Sequence, residues 1–431
     1  MANNQNLFNN VLNSKYISKA LVSGKQVKLI CVTDKNNNKF YNMTEKGDGT
    51  FDVEYGRVDQ TPRKASYPMS QWDKKYNEKM AKGYKDITNM YKIDTDSSGN
   101  QLASSPFDSI LKRLQDYANK VSQSNYKISS FSVTQRMIDE AQSILNNLAT
   151  KSITNDKSQV AEWISEFNKG LLDLFNTLPR KMSNVGQALL NSSTSLDDLG
   201  FSAKKLIAHE QELLDTLSST VQSQKVVDSK PNGSLLDSLG IEMKAKDQQL
   251  EDTVKIMLGE LKDKYVNCWY VVNNSTQSAY DTDMAANGKY SHKKEMLFWH
   301  GSRNENWLSI VSKGLMIRPT GVTTTGSMFG NGVYFADKAK KSFGYTSARS
   351  SYWAHGNSNT AFMAIFRVRV GKQYNVHSHT SECYDFNKSY LIKKGGYDSV
   401  FAHAGRDLRN NEYIIYDPAQ CTIYALVELK A

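Results

Sequence analysis

Cysteine is scarce in this chain, and long apolar runs are missing altogether. The 431 residues include four cysteines, Cys31, Cys268, Cys383 and Cys421, and no two of them form a C-x-x-C pair. Such spacing suits a reducing compartment and argues against a zinc ribbon. No stretch approaches the roughly 18 consecutive apolar residues of a membrane span, and the first ten residues lack the basic-then-apolar pattern of a signal peptide. We therefore expect an intracellular protein (nuclear, nucleoid-associated or cytoplasmic) without a membrane partner.

Two familiar kinds of binding site also find little support in the sequence. The nearest approach to a metal cluster is "HSHTSEC", with His377, His379 and Cys383. A fourth ligand is not evident, so a loop that merely contains these residues is the favoured interpretation, and we expect no metal. The glycines of "GSMFGNG" do not fit G-x-G-x-x-G, which argues against a Rossmann dinucleotide site.

The net charge of +10 is unevenly distributed along the chain. Residues 1–100 hold 16 basic against 11 acidic side chains, residues 101–265 hold 19 against 21, and residues 266–431 hold 19 against 12. Two basic ends thus flank a slightly acidic middle. Basic surfaces suit polyanionic partners such as nucleic acid, or an anionic cofactor, although lysines that only keep the surface soluble explain the charge equally well.

Three segments differ in pattern and predict a multi-domain α+β protein. Residues 1–100 are β-rich, because "KQVKLICVTD" and "GTFDVEYGRVD" alternate apolar with polar residues around the turn signal "EKGDGT". Residues 101–266 carry amphipathic patterns such as "AEWISEFNKGLLDLFNTL", which predict an all-α bundle. One of these helices opens on a capping-box signature, Ser132 followed by Gln135. Residues 267–431 return to short β-branched and aromatic runs without long crossover helices, which predicts antiparallel or mixed sheets.

The stretch "NNEYIIYD" places a carboxylate, Glu412, at the start of a run with the composition of a buried strand. Alone, such a glutamate is more often a solvated edge residue. Four motifs in order change that interpretation: "WHGS", "TGSMFGNGVYFAD", "KSFGY" and "NNEYIIYD". Together they resemble the catalytic domain of the poly(ADP-ribose) polymerases, whose H-Y-E triad falls here on His300, Tyr334 and Glu412. The resemblance extends over residues 269–431 and implies an ADP-ribosyltransferase domain with NAD+ as its substrate.

A weaker resemblance reaches upstream. "NKFYNMTEKGDGTFDVEYGRVD" is similar to the nucleic-acid-binding W-G-R domain, with Tyr55 where that family usually has tryptophan. "SVTQRMIDEAQSILNNL" and "FNTLPRKM" are similar to the helical regulatory domain of DNA-dependent members. The resemblance implies that broken or nicked DNA binds the N-terminal domain. The expected DNA-binding residues are Tyr55, Arg57, Arg63 and Lys64.

The chemistry of the triad can be argued from the residue types. Cleavage between nicotinamide and ribose builds positive charge on the ribose, as in glycoside hydrolysis. Glu412 can hydrogen-bond a ribose hydroxyl, stabilise the developing cation and accept a proton from the nucleophile. His300 offers a ring donor to a ribose, and Tyr334 and Tyr345 can stack on nicotinamide. The other implied contacts are the backbone of Gly301, the hydroxyl of Ser342, Ser302 and Arg318 on the adenosine side, and Lys341 and Met328 on the acceptor side.

Several positions depart from the family pattern. The usual "GLRIAP" is "GLMIRP" here, so the adenine-side arginine falls on Met316, and Arg318 can substitute because alternate strand residues share a face. Ser327 stands where a tyrosine is common in the cofactor lid, and Asn410 replaces the tyrosine two positions before the glutamate. The last change leaves chain branching open.

Three functions fit these observations. The first is a poly(ADP-ribosyl) transferase that acts on itself and other proteins as a monomer, and whose helical segment restrains the NAD+ site until DNA binds. The second is a mono(ADP-ribosyl) transferase, which ranks lower because such families usually lack the glutamate. The third is a DNA-end-binding protein with a relic catalytic domain, against which the intact triad argues.

Overall fold

The structure, a computed structural model, describes residues 24–91, 105–126, 133–229, 234–287, 295–317 and 328–431. Within these ranges the chain forms three β-sheets and a block of helices. No helix in the described ranges is long and apolar enough to cross a lipid bilayer.

Residues 24–91 form a five-stranded antiparallel sheet with the strand order β4-β3-β2-β1-β5. Buried and accessible positions alternate along much of its third strand, as the sequence pattern predicts. One short helix, α1, follows the fourth strand. The elements are β1 (Gln26–Thr33), β2 (Asn37–Glu45), β3 (Thr50–Arg57), β4 (Arg63–Pro68), α1 (Trp72–Met80) and β5 (Lys85–Asp86).

The two faces of this sheet are buried against different neighbours. On one face Phe51 and Val53 pack with Trp72 of α1. On the other face Val32 and Phe40 share one continuous apolar core with the helical segment. The N-terminal sheet and the helices are therefore held together by packing as well as by the chain between them.

Buried asparagines reinforce this junction. The side chain of Asn38, which is fully buried, donates to the carbonyl oxygens of Arg180 at 2.9 Å and Met182 at 3.3 Å. The side-chain oxygen of Asn176 accepts from the backbone N–H of Val32 at 2.9 Å. Breaking such a buried contact leaves polar groups without partners, so these bonds oppose separation of the two segments.

Four long helices form the middle segment, and the buried apolar residues of α3, α4 and α5 share one core. They are α2 (Asp108–Asn125), α3 (Gln135–Thr150), α4 (Val160–Thr177) and α5 (Leu196–Ser229). The predicted N-cap Ser132 lies outside the described residues. The structure caps α3 with Thr134, whose hydroxyl accepts from the backbone N–H of Met137 at 3.3 Å.

The C-terminal segment contains two sheets. The first has the order β6-β7-β14-β10-β8 and is antiparallel, and the second has the order β11-β12-β13-β9, with β11 and β12 parallel. The prediction of antiparallel and mixed sheets in this segment is confirmed. The strands are β6 (Ile241–Ala245), β7 (Tyr265–Asn273), β8 (Glu295–Gly301), β9 (Val333–Phe335), β10 (Thr360–Arg369), β11 (Gln373–Val376), β12 (Ser399–Ala402), β13 (Glu412–Ile415) and β14 (Cys421–Lys430).

Short helices connect and cover these strands. Helix α2 of the middle segment also packs on the first sheet, because Leu111 and Leu114 belong to the same apolar core as Phe362 of β10. The connecting helices are α6 (Leu235–Leu239), α7 (Gln248–Leu258), α8 (Asn274–Asn287), α9 (Trp307–Lys313), α10 (Ala339–Phe343) and α11 (Lys388–Gly395).

The boundary between the helical and C-terminal segments differs from the sequence-based prediction of 266/267. Strand β6 pairs with β7, from Ile241 opposite Asn273 to Ala245 opposite Trp269. Helix α7 packs its Leu250 and Val254 into the core of the same sheet. Strand β6 and helix α7 therefore pack with the C-terminal sheet. The sequence pattern gave no local sign of this, because the helical pattern of 248–258 resembles the bundle helices that precede it.

Candidate active site

The cavity with most of the predicted catalytic residues lies where the two C-terminal sheets meet. Trp299 of β8 and Ala336 exchange backbone hydrogen bonds of 2.9 and 3.0 Å, which joins the end of the first sheet to β9 of the second. Strand β9 in turn pairs with β13, with Tyr334 opposite Ile414. The cavity has a volume of about 280 Å³. Its wall contains His300, Gly301, Ser302, Tyr334, Lys341, Ser342, Tyr345 and Glu412.

Glu412 is the first residue of β13 and is 7% exposed. One carboxylate oxygen, Oε1, forms an ion pair with the Nζ atom of Lys341. The other, Oε2, is buried and has no hydrogen-bond partner among the described residues. An unsatisfied buried carboxylate oxygen costs free energy, so its presence in a cavity wall indicates a position that a hydroxyl of a bound molecule can satisfy.

Lys341 lies on α10 and is almost as deeply placed as Glu412. Burial lowers the pKa of its ammonium group, and the negative charge of Glu412 partly opposes this shift. Each of the two charges is therefore compensated by the other in a poorly solvated environment.

His300 stands at the end of β8 among aromatic rings. Its Nδ1 atom is 3.1 Å from the carbonyl oxygen of Tyr334, which can only accept, so Nδ1 carries the proton. Burial lowers the pKa of this imidazole to about 4, so the ring is neutral near pH 7. In that tautomer Nε2 is an acceptor. The expectation that His300 donates to a ribose is therefore corrected: Nε2 can accept a hydrogen bond from a ribose hydroxyl.

Two tyrosines supply flat surfaces to the cavity. The hydroxyl of Tyr334 donates to the carbonyl oxygen of Gly330 at 2.7 Å and accepts from the backbone N–H of Phe329 at 3.0 Å, so two hydrogen bonds fix the hydroxyl end of the ring. Burial raises the pKa of Tyr334 well above its ordinary value and that of Tyr345 to about 12. Both rings therefore remain neutral at physiological pH and offer stacking surfaces.

Gly301 and Ser342 bring β8 and α10 into close contact. A Cβ atom at position 301 would overlap the carbonyl oxygen of Ser342, so a side chain there is excluded. Glycine is thus required by the contact between two elements of the protein, in addition to any close approach of a ligand. Both residues line the cavity.

The remaining predicted NAD+ and acceptor residues divide into three groups. Ser302 lines the cavity, and its hydroxyl accepts from Asn306 at 3.0 Å. Arg318 lies outside the described residues, whereas Met316 is 51% exposed at the cavity wall. Met328 is half-buried and does not line the cavity; its carbonyl oxygen lies 2.9 Å from Nε2 of His379.

Two acidic residues of the cavity wall were missed by sequence reasoning. Glu212 and Asp215 belong to α5, in the helical segment, and line the cavity opposite the C-terminal sheets. In "AKKLIAHEQELLDTLSSTV" they look like ordinary polar positions of an amphipathic helix, and no local signal separates them from the others. Nearby Glu210 forms an ion pair with Arg180, with side chains 3% and 9% exposed.

The predicted DNA-binding residues occupy one end of the N-terminal sheet. Tyr55 is half-buried, and its ring centroid is 5.9 Å from that of Tyr41. Arg63 and Lys64 are exposed on the edge strand β4, and Lys64 forms an ion pair of 2.8 Å with Glu54.

Arg57 faces the helical segment. Its Nη2 atom donates to the carbonyl oxygens of Met182 at 3.2 Å and Ser183 at 3.1 Å. Its Nη1 atom donates to the carbonyl oxygen of Asn36 at 2.9 Å. These contacts link the N-terminal sheet to the helical segment, and a direct contact of Arg57 with DNA stays a prediction.

Potential metal ligands do not gather in the described part of the chain. No group of three or more histidine, cysteine, aspartate or glutamate side chains with metal-binding geometry occurs there. His377 instead stacks on His403 with a centroid distance of 4.1 Å, and Cys383 is buried.

Comparison with known proteins identifies the family of the C-terminal segment. The family model of the poly(ADP-ribose) polymerase catalytic domain matches residues 241–431. Two proteins of Invertebrate iridescent virus 6 are similar: the uncharacterized protein 101L (32% identical over 208 residues, 48% of this chain and 82% of that protein) and the putative poly [ADP-ribose] polymerase-like 100L (31% over 139 residues, 32% and 72%).

A longer match extends into the N-terminal half. Poly [ADP-ribose] polymerase 1 of Xenopus laevis is 26% identical over 338 residues, which are 69% of this chain and 31% of the frog protein. The chain thus spans less than a third of that relative's length. The match to the family model begins at residue 241, in agreement with the start of β6. The chain belongs to the poly(ADP-ribose) polymerase family.

Proposed function

We propose that this protein transfers ADP-ribosyl units from NAD+ to proteins, including itself, that it extends them into polymers, and that broken DNA activates it. The observation that carries the catalytic part is the buried, unpartnered Oε2 atom of Glu412 in a cavity shared with His300 and two tyrosines. A donor set of this kind fits a ribose flanked by a flat ring, because it offers two hydroxyl acceptors and two stacking surfaces.

Different residues of the cavity bind the nicotinamide and the ribose of NAD+. Tyr334 and Tyr345 stack on the nicotinamide ring, while the backbone of Gly301 and the hydroxyl of Ser342 pair with its carboxamide. Nε2 of His300 and Oε2 of Glu412 accept hydrogen bonds from ribose hydroxyls. Bound NAD+ supplies the bond between ribose and a positively charged leaving nicotinamide.

Glu412 then acts in two ways. Its negative charge, in a poorly solvated wall, stabilises the positive charge that develops on the ribose. Its carboxylate also accepts the proton of the attacking acceptor group. Lys341 holds Oε1, so Oε2 is the oxygen that has no partner among the described residues. We assign the hydrogen bond with the ribose to this oxygen.

The presence of both Glu412 and Lys341 favours polymer formation over transfer of a single unit. In an elongating enzyme the acceptor is a ribose hydroxyl of the previous unit, which must lose its proton as it attacks. A carboxylate and an ammonium group side by side suit that step, because the carboxylate accepts the proton and the ammonium group holds the carboxylate in place.

We propose that the N-terminal sheet binds the DNA that activates the protein. Tyr55 offers a ring on which a terminal sugar or base of broken DNA can stack, and Arg63 and Lys64 offer positive charge on the neighbouring edge strand. Lys79, whose Nζ atom lies 4.2 Å from the ring centroid of Tyr41, adds a further cation beside the same rings.

We propose that the helical segment restrains the NAD+ cavity through α5, which borders it. Because Glu212 and Asp215 stand in the cavity wall, a shift of α5 changes the space available to NAD+. The same helix carries Glu210, whose partner Arg180 contacts Asn38 of the N-terminal sheet through its carbonyl oxygen. DNA that binds the sheet can therefore bias a helix that borders the cavity, as a two-state mechanism requires.

Incubation with labelled NAD+, with and without nicked DNA, tests the whole proposal on a denaturing gel. We expect a ladder of modified protein that depends on DNA and disappears in the Glu412→Gln variant. A single modified band, with or without DNA, would indicate mono(ADP-ribosyl) transfer. Absence of label in the presence of DNA would favour a relic catalytic domain.

A further inference from the structure

An exposed pair of aromatic rings stands beside the cavity and has no part in the proposed reaction. Tyr352 is 64% exposed and Trp353 is 59% exposed, although they are consecutive in the chain. Their rings are perpendicular, with a centroid distance of 4.7 Å, so together they form an open corner. Exposure of two large adjacent rings is unfavourable in water and indicates a binding surface.

The loop that carries this corner is tightly held. The backbone N–H groups of Trp353 and Ala354 both donate to the carbonyl oxygen of Gly344, at 2.8 and 3.0 Å. Further along, His355 has φ = +46°, a conformation that residues with a side chain seldom adopt. Gly356 donates to the hydroxyl of Ser351 at 2.8 Å. The rings are therefore presented by an ordered loop, and little conformational entropy is lost when a ligand binds them.

Trp353 also packs against a residue of the cavity wall. One face of its ring is stacked on Tyr345, with a centroid distance of 6.2 Å and an interplanar angle of 22°. Tyr345 lines the cavity, so Trp353 lies on the side of that ring away from the site proposed for nicotinamide. A base stacked on the open face of Trp353 would thus be separated from the site proposed for nicotinamide by two aromatic rings, Trp353 and Tyr345.

Positive charge accompanies the rings. Arg303 is exposed, and its Nη2 atom donates to the carbonyl oxygen of Ala354 at 3.4 Å, next to Trp353. Arg349 is exposed in the same loop. The nearby carboxylate of Glu305 is half-buried and accepts a 3.5 Å hydrogen bond from Ser347. The surface therefore combines flat rings with guanidinium groups, which suits a molecule with a planar base and phosphates.

We propose that Trp353, Tyr352, Arg303 and Arg349 form a second nucleotide-binding site, which holds the adenine ring and diphosphate of an ADP-ribosyl unit outside the catalytic cavity. The choice of ADP-ribose among nucleotides rests on the proposed function, since the neighbouring cavity would produce such units. A polynucleotide fits less well, because proteins that bind single strands place several aromatic rings along a groove and this surface offers one corner.

The test is a calorimetric titration of the full chain with ADP-ribose in the absence of NAD+. The native protein should bind two molecules of ADP-ribose, one in the cavity and one at the corner. Trp353→Ala should weaken this second site about ten-fold, as expected for loss of one base-stacking ring, and Trp353→Phe should retain most of the affinity. Tyr352→Ala and Arg303→Ala should each weaken it as well.

A matched control is Tyr384→Ala, which removes another exposed ring (61% exposed) from a different part of the domain and should leave the second site unchanged. Circular dichroism checks that each variant is folded. Absence of a second ADP-ribose, or equal binding by Trp353→Ala, would overturn the proposal. Tighter, Trp353-dependent binding of a single-stranded oligonucleotide would also overturn it in favour of nucleic acid.

Failure of this inference can be distinguished from failure of the proposed function. The titration measures binding without turnover, so a missing second site leaves the NAD+ assay of Glu412→Gln and the native protein unaffected. Conversely, if the protein has no transferase activity, the comparison of Trp353→Ala with Trp353→Phe still reports whether ADP-ribose binds at the corner.

Discussion

Lys341 and Glu412 form an ion pair in the wall of the cavity, with side chains 12% and 9% exposed. Because both charges are buried, removal of one partner alone should lower the free energy of unfolding strongly, since the other charge is then left uncompensated. The pair also fixes which oxygen of Glu412 remains available to a ligand. Two predictions depend on this arrangement.

The first prediction concerns the charge of Glu412. Glu412→Gln preserves the shape of the side chain but removes the charge that stabilises the ribose cation and accepts a proton. We expect NAD+ binding to remain and transfer to fall roughly 10²- to 10⁴-fold, with elongation affected most. Labelled NAD+ and gel analysis measure the loss, and calorimetry measures binding. Polymer formation near the native level would contradict the assignment of Glu412.

The second prediction concerns the stability of the pair. Lys341→Met leaves the carboxylate of Glu412 buried without its cation, so we expect the free energy of unfolding of the C-terminal unit to fall by about 3–5 kcal/mol. In the double variant Lys341→Met/Glu412→Gln the unpaired charge is absent, and most of this loss should be recovered. Urea denaturation of the four proteins in this cycle gives the coupling. Strictly additive losses would show that the two side chains do not interact.

Much of the local structure follows from the sequence because it depends on neighbours in the chain. Alternating residues around β3 specify a strand, and the run after Glu412 specifies β13, so the position of the carboxylate at a strand start could be predicted. The meeting of β8 with β9 could not be read from their patterns, since it depends on two backbone hydrogen bonds between Trp299 and Ala336. The motifs nevertheless identified residues that the fold brings together.

The features of the fold and of the site that the sequence did not predict depend on contacts between segments that are distant along the chain. Strand β6 is five residues long and lies at a sheet edge beside helical patterns, so its membership of the C-terminal sheet depends on pairing with β7. The acceptor role of Nε2 in His300 follows from a carbonyl oxygen 34 residues further along the chain. Glu212 and Asp215 border the cavity only because α5 packs there. None of these relations has a local signature.

The third prediction uses the depressed pKa of His300. The folded-state pKa of about 4 lies below the ordinary 6.5, so the unfolded chain binds a proton first as the pH falls. Stability from this group is therefore complete above about pH 6.5 and is lost between pH 6.5 and 4. The loss from pH 8 to pH 5 should be about 2 kcal/mol.

Two measurements check this prediction. The imidazole signal of His300 in an NMR titration should not move between pH 8 and pH 5.5. The decrease in unfolding free energy from pH 8 to pH 5 should be smaller by about 2 kcal/mol in His300→Gln than in the native protein. A midpoint near 6.5 for His300 would contradict the burial described for this ring.

The fourth prediction concerns the N-terminal sheet and DNA. Tyr55→Ala should weaken binding of the full chain to a nicked duplex by about ten-fold, and Tyr55→Trp should equal or exceed native affinity, because a larger ring stacks better. Binding should also weaken with salt, and the slope should decrease when Arg63 and Lys64 are replaced together by alanine. Anisotropy titrations at several salt concentrations measure both effects. Unchanged affinity in Tyr55→Ala would remove Tyr55 from the DNA site.

The last prediction separates DNA binding from the transmission of its signal. Arg57 donates to the carbonyl oxygens of Met182 and Ser183, whereas Arg63 is exposed on the edge strand. Arg57→Ala should therefore lower the maximal stimulation by DNA at saturating DNA, whatever its effect on DNA affinity. Arg63→Ala, the matched control, should lower affinity but reach full stimulation at saturating DNA. If the complete coupling is about 2–3 kcal/mol, it gives some 30- to 150-fold activation, and loss of about 1 kcal/mol in Arg57→Ala reduces it roughly five-fold. NAD+ consumption measured against DNA concentration gives both parameters for each variant. Full stimulation of Arg57→Ala at saturating DNA would mean that the signal reaches α5 by another route, such as the buried contact of Asn38 with the segment that carries Arg180.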